Sequence, residues 1–273
     1  MPGSRFGRLS FLLALTLTGV TFGASYAGAQ RGGYSYDRQP APESFDGSFN
    51  FCRVMFRRGS NEGGGWGVDY PRADENLSIR LLELTRTPIS LEPSGLPNHL
   101  LMTLTDPALF RCPFVMMTEV GAAYLTEEEA AALRDYVLKG GFLWVDDFWG
   151  ERAWFLWEGE LRKALPSATY PVQDLPMDHA LFRTIMQVSA VPQIPSINYW
   201  RGSGGDTSER YDSRVPHARA IVDDRGRIMV LMTHNTDIGD SWEQEAQDPE
   251  YFERFSVYGY ALGINAVVYA LTN

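Results

Sequence analysis

Apolar and polar positions along this chain follow two rhythms. Residues 113–118 (Pro-Phe-Val-Met-Met-Thr) and 142–145 (Phe-Leu-Trp-Val) are unbroken apolar runs, the pattern of strands buried on both faces of a parallel sheet. Residues 49–56 (Phe-Asn-Phe-Cys-Arg-Val-Met-Phe) read as a first strand, and residues 89–91 as a short one. Between them the period changes. Leu77, Leu81 and Leu84 recur on one face of a helix over residues 72–84. Thr126 and Glu129 form a capping box, in which the hydroxyl takes the Glu129 amide and the carboxylate reaches back. That helix runs to about Lys139 and ends at Gly140-Gly141, where glycine tolerates a left-handed cap. A further helix over residues 152–165 stops at Pro166. Strand, helix, strand, helix over residues 113–165 predicts crossovers that build a parallel sheet covered on both faces. Beyond Tyr170 the pattern loosens. Residues 218–222 and 227–233 predict a hairpin around Asp223-Asp224-Arg225-Gly226, residues 234–247 a loop, and residues 249–271 a last helix. The expected organisation is one α/β domain over residues 49–273. Residues 30–48, rich in Gly, Pro, Tyr and Ser, are expected to be a flexible lead-in.

Residues 1–29 read as an export signal. Arg5 and Arg8 precede an apolar stretch over residues 9–20, and Ala27-Gly28-Ala29 offers small residues at the cleavage positions, with Gln30 as the mature start. The apolar stretch is shorter than the roughly 20 residues a bilayer span needs. No later segment reads as a span, so no transmembrane segment is expected once the signal is removed. Export implies a periplasmic or secreted protein in an oxidising compartment, which brings in Cys52 and Cys112. They meet as a disulfide if their strands are neighbours, and otherwise remain two buried thiols. Two cysteines alone do not make a four-ligand zinc site.

Lys and Arg number 24 against 34 Asp and Glu, a formal charge of -10. An acidic surface repels phosphate backbones, so nucleic acid is not an expected partner.

In open parallel sheets, ligands bind outside the carboxyl ends of the strands. The residues that leave those ends are Trp66, Asp69 and Tyr70 in the loop of Gly63-Gly64-Gly65, then Glu119, then Asp146, Asp147 and Trp149, then His234, Asn235, Asp237 and Asp240. Three uses compete. Asp146, Asp147 and Asp237, with His234, offer ligands for a divalent metal that activates water; against this, Asp147 is a candidate helix cap and Asp237 a candidate Asx-turn. A carboxylate pair is also suited to acid/base work on a glycosidic bond. The third use is binding without turnover, with Trp66, Trp149 and Trp242 as apolar walls. A nucleophile elbow after residues 142–145 would place Asp147, not Ser or Cys, at the reactive position. The triple glycine lacks the Gly-Lys-Ser/Thr ending of a phosphate loop. His99, His179 and His217 are expected at polar surface or turn positions.

Several stretches resemble the domain-of-unknown-function family numbered 4159: Phe49-Asn-Phe-Cys-Arg-Val, Trp66-Gly-Val-Asp-Tyr-Pro with Asp74, Asn76 and Leu77, Gly140-Gly-Phe-Leu-Trp-Val-Asp-Asp, Asp178-His179, and His234-Asn-Thr-Asp-Ile-Gly-Asp-Ser-Trp. The resemblance spans about residues 49–271. It implies a bacterial exported or membrane-associated protein with a flavodoxin-like three-layer sandwich, similar to class I glutamine amidotransferases. In those relatives the strand leading to Asp147 carries the nucleophilic Cys. None stands here, so glutamine hydrolysis is not carried over. The expected function is therefore a non-catalytic, exported ligand- or partner-binding domain of the cell envelope, the partner being an envelope protein or a small carbohydrate-like molecule. The rival is an envelope hydrolase with Asp147, His234 and Asp237 as its catalytic groups. The residues identify no cofactor.

Overall fold

The computed structural model describes residues 38–273; the expected export segment lies outside the described residues. Among the described residues there are nine strands: β1 (Phe51–Val54), β2 (Arg57–Arg58), β3 (His99–Met102), β4 (Phe114–Thr118), β5 (Ala123–Tyr124), β6 (Phe142–Asp146), β7 (Gln173–Asp174), β8 (His217–Val222) and β9 (Ile228–His234). Seven form one sheet in the order β3-β1-β4-β6-β9-β8-β7, and β2 pairs with β5 separately. The strands from β3 to β9 in that order are parallel, while β8 runs antiparallel to β9 and β7 antiparallel to β8. Counted as they occur along the chain, the five parallel strands stand 2-1-3-4-5, an order that reverses direction between β1 and β4.

The described residues also form seven α-helices: α1 (Arg72–Thr85), α2 (Glu127–Leu138), α3 (Gly150–Ala164), α4 (Ile197–Gly202), α5 (Ile238–Glu243), α6 (Pro249–Tyr251) and α7 (Val257–Thr272). A strand's side chains alternate between faces, so the apolar runs split into two cores. Phe114, Met116, Phe142 and Trp144 face one core, shared with Leu77 and Leu81 of α1 and Leu262 and Ile264 of α7. Val115, Met117, Leu143 and Val145 face the other, shared with Leu133 and Val137 of α2 and Trp157 and Leu161 of α3. Helices on both faces of a mostly parallel sheet make a three-layer α/β sandwich.

Several local expectations are revised. Residues 89–91 make only isolated bridges, and the edge strand is β3, whose His99 is buried rather than at the surface. The expected loop 234–247 contains α5. Residues 249–272 form a helix long and apolar enough, by length and composition, to span a membrane, contrary to the expectation that no such segment follows the leader. Most of it is buried within the fold, and a π-helical turn (Phe252–Ser256) joins α6 to α7. Within the lead-in, residues 42–44 form a 3-10 turn and Phe45 lies under the Arg111 guanidinium, 4.0 Å from it. Cys52 and Cys112 form a disulfide with a Cα separation of 6.3 Å, because the neighbouring strands β1 and β4 bring them together.

Candidate functional site

Three adjacent parallel strands each end in one residue with left-handed backbone. Glu119 follows β4 (φ 49°), Asp147 follows β6 (φ 54°) and Asn235 follows β9 (φ 62°). Asp69, in the loop before α1, is a fourth (φ 63°). Side chains other than glycine rarely take this conformation, Asp and Asn most readily, and such strain collects at functional sites. The sharp turns leave these polar groups at the carboxyl rim of the sheet.

There Asp69, Asp147 and Asp237 bring carboxylate oxygens to within 4.8 Å of one another, and Asp69, Asp240 and Glu243 form an overlapping group. Asp69, Asp146, Asp147, Asp237 and Asp240 are all buried. The first neighbour on this centre is a buried arginine. Arg53 of β1 donates through Nε to both oxygens of Asp74 in α1, at 3.0 and 3.2 Å. Its Nη1 donates to the carbonyls of Trp66 and Val68, each at 3.1 Å, and to the Thr118 hydroxyl at 3.0 Å. The loop ending at Asp69 is thereby tied to two strands and a helix.

The other acids are held as firmly. Asp146 accepts from the Thr233 hydroxyl at 2.5 Å and from the Gly239 amide at 3.0 Å. Asp237 caps α5 by accepting the Asp240 amide at 2.8 Å. Asp147 accepts from the Trp149 indole at 2.9 Å. It does not cap α3; the carboxylate of Asp212 takes the Glu151 amide and the Asn235 side-chain oxygen takes that of Gly150. Glu119 lines the same small cavity as Asp147 and accepts the Gly65 amide at 2.5 Å. A Cβ on Gly63, which has φ 87°, would meet the Glu119 carboxyl at 2.6 Å, so the glycine loop is shaped around that side chain.

Burial, and then mutual repulsion, makes ionisation of these acids difficult. Asp69, Asp147 and Asp237 are raised well above the usual carboxylate range, first by burial and next by neighbouring carboxylates: Asp240 for Asp69, Glu119 for Asp147, and Asp147 for Asp237. Asp146 and Asp240 are pushed up to about 7 by burial, against the hydrogen bonds they accept. Chemically, such a centre either shares protons or holds a cation.

A separate cleft of about 490 Å³ lies beside it, lined by Trp154, Arg214, His217, Arg219, His234 and Asn235 among others. His234, 5% exposed, has Nε2 3.1 Å from the Gly150 carbonyl. A carbonyl only accepts, so Nε2 carries the proton and Nδ1 keeps a lone pair. That Nδ1 is buried without a partner. Burial lowers the ring to about 4, which keeps it neutral at physiological pH. Its ring packs between Phe148 and Trp154 and stacks on His217.

The structure therefore gathers Asp69, Asp146, Asp147, Asp237 and Asp240 in one buried centre and assigns His234 and Asn235 to the neighbouring cleft. Trp66 and Tyr70 are half-buried and meet edge to face, with the Tyr70 hydroxyl 2.9 Å from His99. Trp149 is buried on Asp147. Trp242 is fully buried against Trp144 in the core and offers no wall to a ligand, contrary to expectation. Arg53, Asp74, Thr118, Thr233 and Gly239 position the centre, a role that the sequence alone does not assign them. Arg53 was the one with a signal, since a charge inside an apolar strand demands a buried partner.

No curated protein matches the chain significantly. A family model does, and it covers the nine strands and every strand-end residue named above: over residues 51–271 this chain belongs to the family described as Domain of unknown function (DUF4159).

Proposed function

We propose that the chain is an exported protein of the bacterial envelope that binds a small, polyhydroxylated, carbohydrate-like ligand in the His234 cleft without turning it over. The observation carrying this reading is the buried, unpartnered Nδ1 of His234. It is an acceptor without a donor, on a ring that lines the cleft. Around it Arg214 and Arg219 offer donors, and Glu151 and Asp212 offer acceptors. A neutral polyol, with donors and acceptors on every carbon, suits such a mixed lining better than a singly charged ligand. The cleft volume lies in the ordinary range for small-molecule sites.

Size argues against hydrolysis as the main activity. The cavity that reaches Asp147 is about 30 Å³. That admits roughly one water and no sugar ring. The hydrolase reading keeps one support, the clustering of Asp147, in the turn after β6, with Asp237, in the turn after β9. We also infer the amidotransferase-like form of the sandwich, supported by the 2-1-3-4-5 strand order and the sharp β6–Asp147–α3 turn. Export is supported by the leader pattern of residues 1–29 and by the Cys52–Cys112 disulfide, since such bonds persist in oxidising compartments.

Titration of the purified chain with glucose, N-acetylglucosamine and glucuronate, followed by ligand-observed NMR, tests the reading. At least one sugar binds the parent, and His234→Phe weakens it at least tenfold. Failure of all three to bind, or equal binding by the variant, refutes it. Fusion of residues 1–29 to a reporter tests export.

A further inference from the structure

We propose that Asp69, Asp147 and Asp237 together bind one hard divalent cation of the calcium, magnesium or manganese class. The three side chains come from separate connections: the loop before α1, the β6–α3 turn and the β9–α5 turn. They are 6%, 6% and 5% exposed, and their oxygens lie within 4.8 Å of one another. Oxygens bound to one such ion at roughly 2.1–2.5 Å stand no further apart than about twice that distance.

A second observation points into the same centre. Asp69 Oδ2 is buried and accepts no hydrogen bond. Its neighbours differ: Asp146 is satisfied by Thr233 and Gly239, and Asp74 by Arg53. Arg53 gives its hydrogen bonds to Asp74, Thr118 and the 66–68 loop, and reaches Asp69 only through its charge, which is outweighed there by burial and by Asp240 and Asp147. The backbone also comes close, for a Cβ on Gly239 would stand 2.6 Å from Asp69 Oδ2 and 3.4 Å from Asp237 Oδ1. The donor set is all oxygen, without His or Cys, which selects hard cations over zinc or copper.

The rival account is a set of carboxyls sharing protons and binding no metal. Calorimetric titration of the chelator-treated, full-length mature chain with calcium, magnesium, manganese and zinc chlorides at pH 7.5 separates the two. The expected result is one site for at least one of the first three, with affinity lowered at least tenfold in both Asp147→Asn and Asp237→Asn. These variants keep side-chain volume and remove repulsion, and far-UV circular dichroism verifies their fold. No binding of the first three ions by the folded parent up to 10 mM (a range set by the roughly millimolar weak limit of extracellular calcium sites), a preference for zinc, or undiminished binding by the folded variants overturns the proposal. Should either variant fail to fold, the parent titration still decides. The site uses other side chains than the His234 cleft, so sugar binding and ion binding fail independently.

Discussion

Gly239 lies against Asp69 so closely that a methyl group on its Cα would stand 2.6 Å from the Asp69 carboxylate. The glycine is inside α5, where alanine is the better helix former by about 1 kcal/mol. Propensity and site geometry therefore conflict. Gly239→Ala is expected to displace Asp69 and lower cation affinity at least tenfold while thermal stability changes by no more than about 1 kcal/mol. Calorimetry beside a melting curve checks it; unchanged affinity would show that Asp69 is not held by this contact.

The Arg53–Asp74 pair supports a different expectation. Both side chains are fully buried, and Arg53 also holds the 66–68 loop. Removing one partner leaves a buried charge, which costs about 3–5 kcal/mol. Asp74→Asn should lose stability on that scale in urea unfolding, and the double variant Arg53→Met/Asp74→Leu should lose less than either single change. A loss under about 1 kcal/mol for Asp74→Asn would contradict the account.

The disulfide closes a separation of 60 residues. Chain entropy for such a loop gives about 4 kcal/mol as the stabilisation to be lost. The paired substitution Cys52→Ser/Cys112→Ser is expected to lower unfolding free energy toward that amount, and dithiothreitol should reproduce the effect in the parent. No change under reduction would mean that the unfolded state is not restricted by this link.

His99 sets a pH dependence. Burial lowers it from 6.5 to about 4, against the Asp74 charge and with the help of Arg38 and Arg53. Its Nε2 meets the Tyr70 hydroxyl, itself raised to about 12 by burial. As pH falls below 6.5 the unfolded chain takes the proton first, so stability falls between pH 6.5 and 4 and the loss is complete below 4. The stability advantage of the parent over His99→Gln should shrink across that window, by up to about 3 kcal/mol. Denaturation at pH 7.5, 5.5 and 4 measures it; a constant difference would show that His99 is not held neutral.

Much of the scaffold was legible beforehand because short-range rules govern it. The Thr126–Glu129 box caps α2 as expected, with the Glu129 amide 3.2 Å from the Thr126 hydroxyl. The apolar runs at β4 and β6 became central parallel strands, since only burial on both faces tolerates such runs. By contrast, β3 was missed: His99 and Asn98 made its start look polar, and pairing with β1 overrode that local pattern. The helical turn α5 was missed as well, because Asp237 reads equally as a loop residue and as a cap.

The candidate site divides along the same line. Its strand-end acids were named from position alone, because a parallel sheet carries its polar exits to one rim. Trp242 went the other way, since whether an indole faces solvent or core depends on what packs over it, here Trp144 and α7. The amino-acid order by itself determined the central strands β4 and β6, the capped start of α2 and the polar residues at the rim, all set by neighbours within a few positions. Tertiary structure alone decided that Asp69 joins Asp147 and Asp237, that Arg53 is spent on Asp74, and that His234 belongs to another cleft. Those outcomes depend on which oxygens and nitrogens meet across some 20 to 170 residues of chain, a matter of three-dimensional packing that no local pattern encodes.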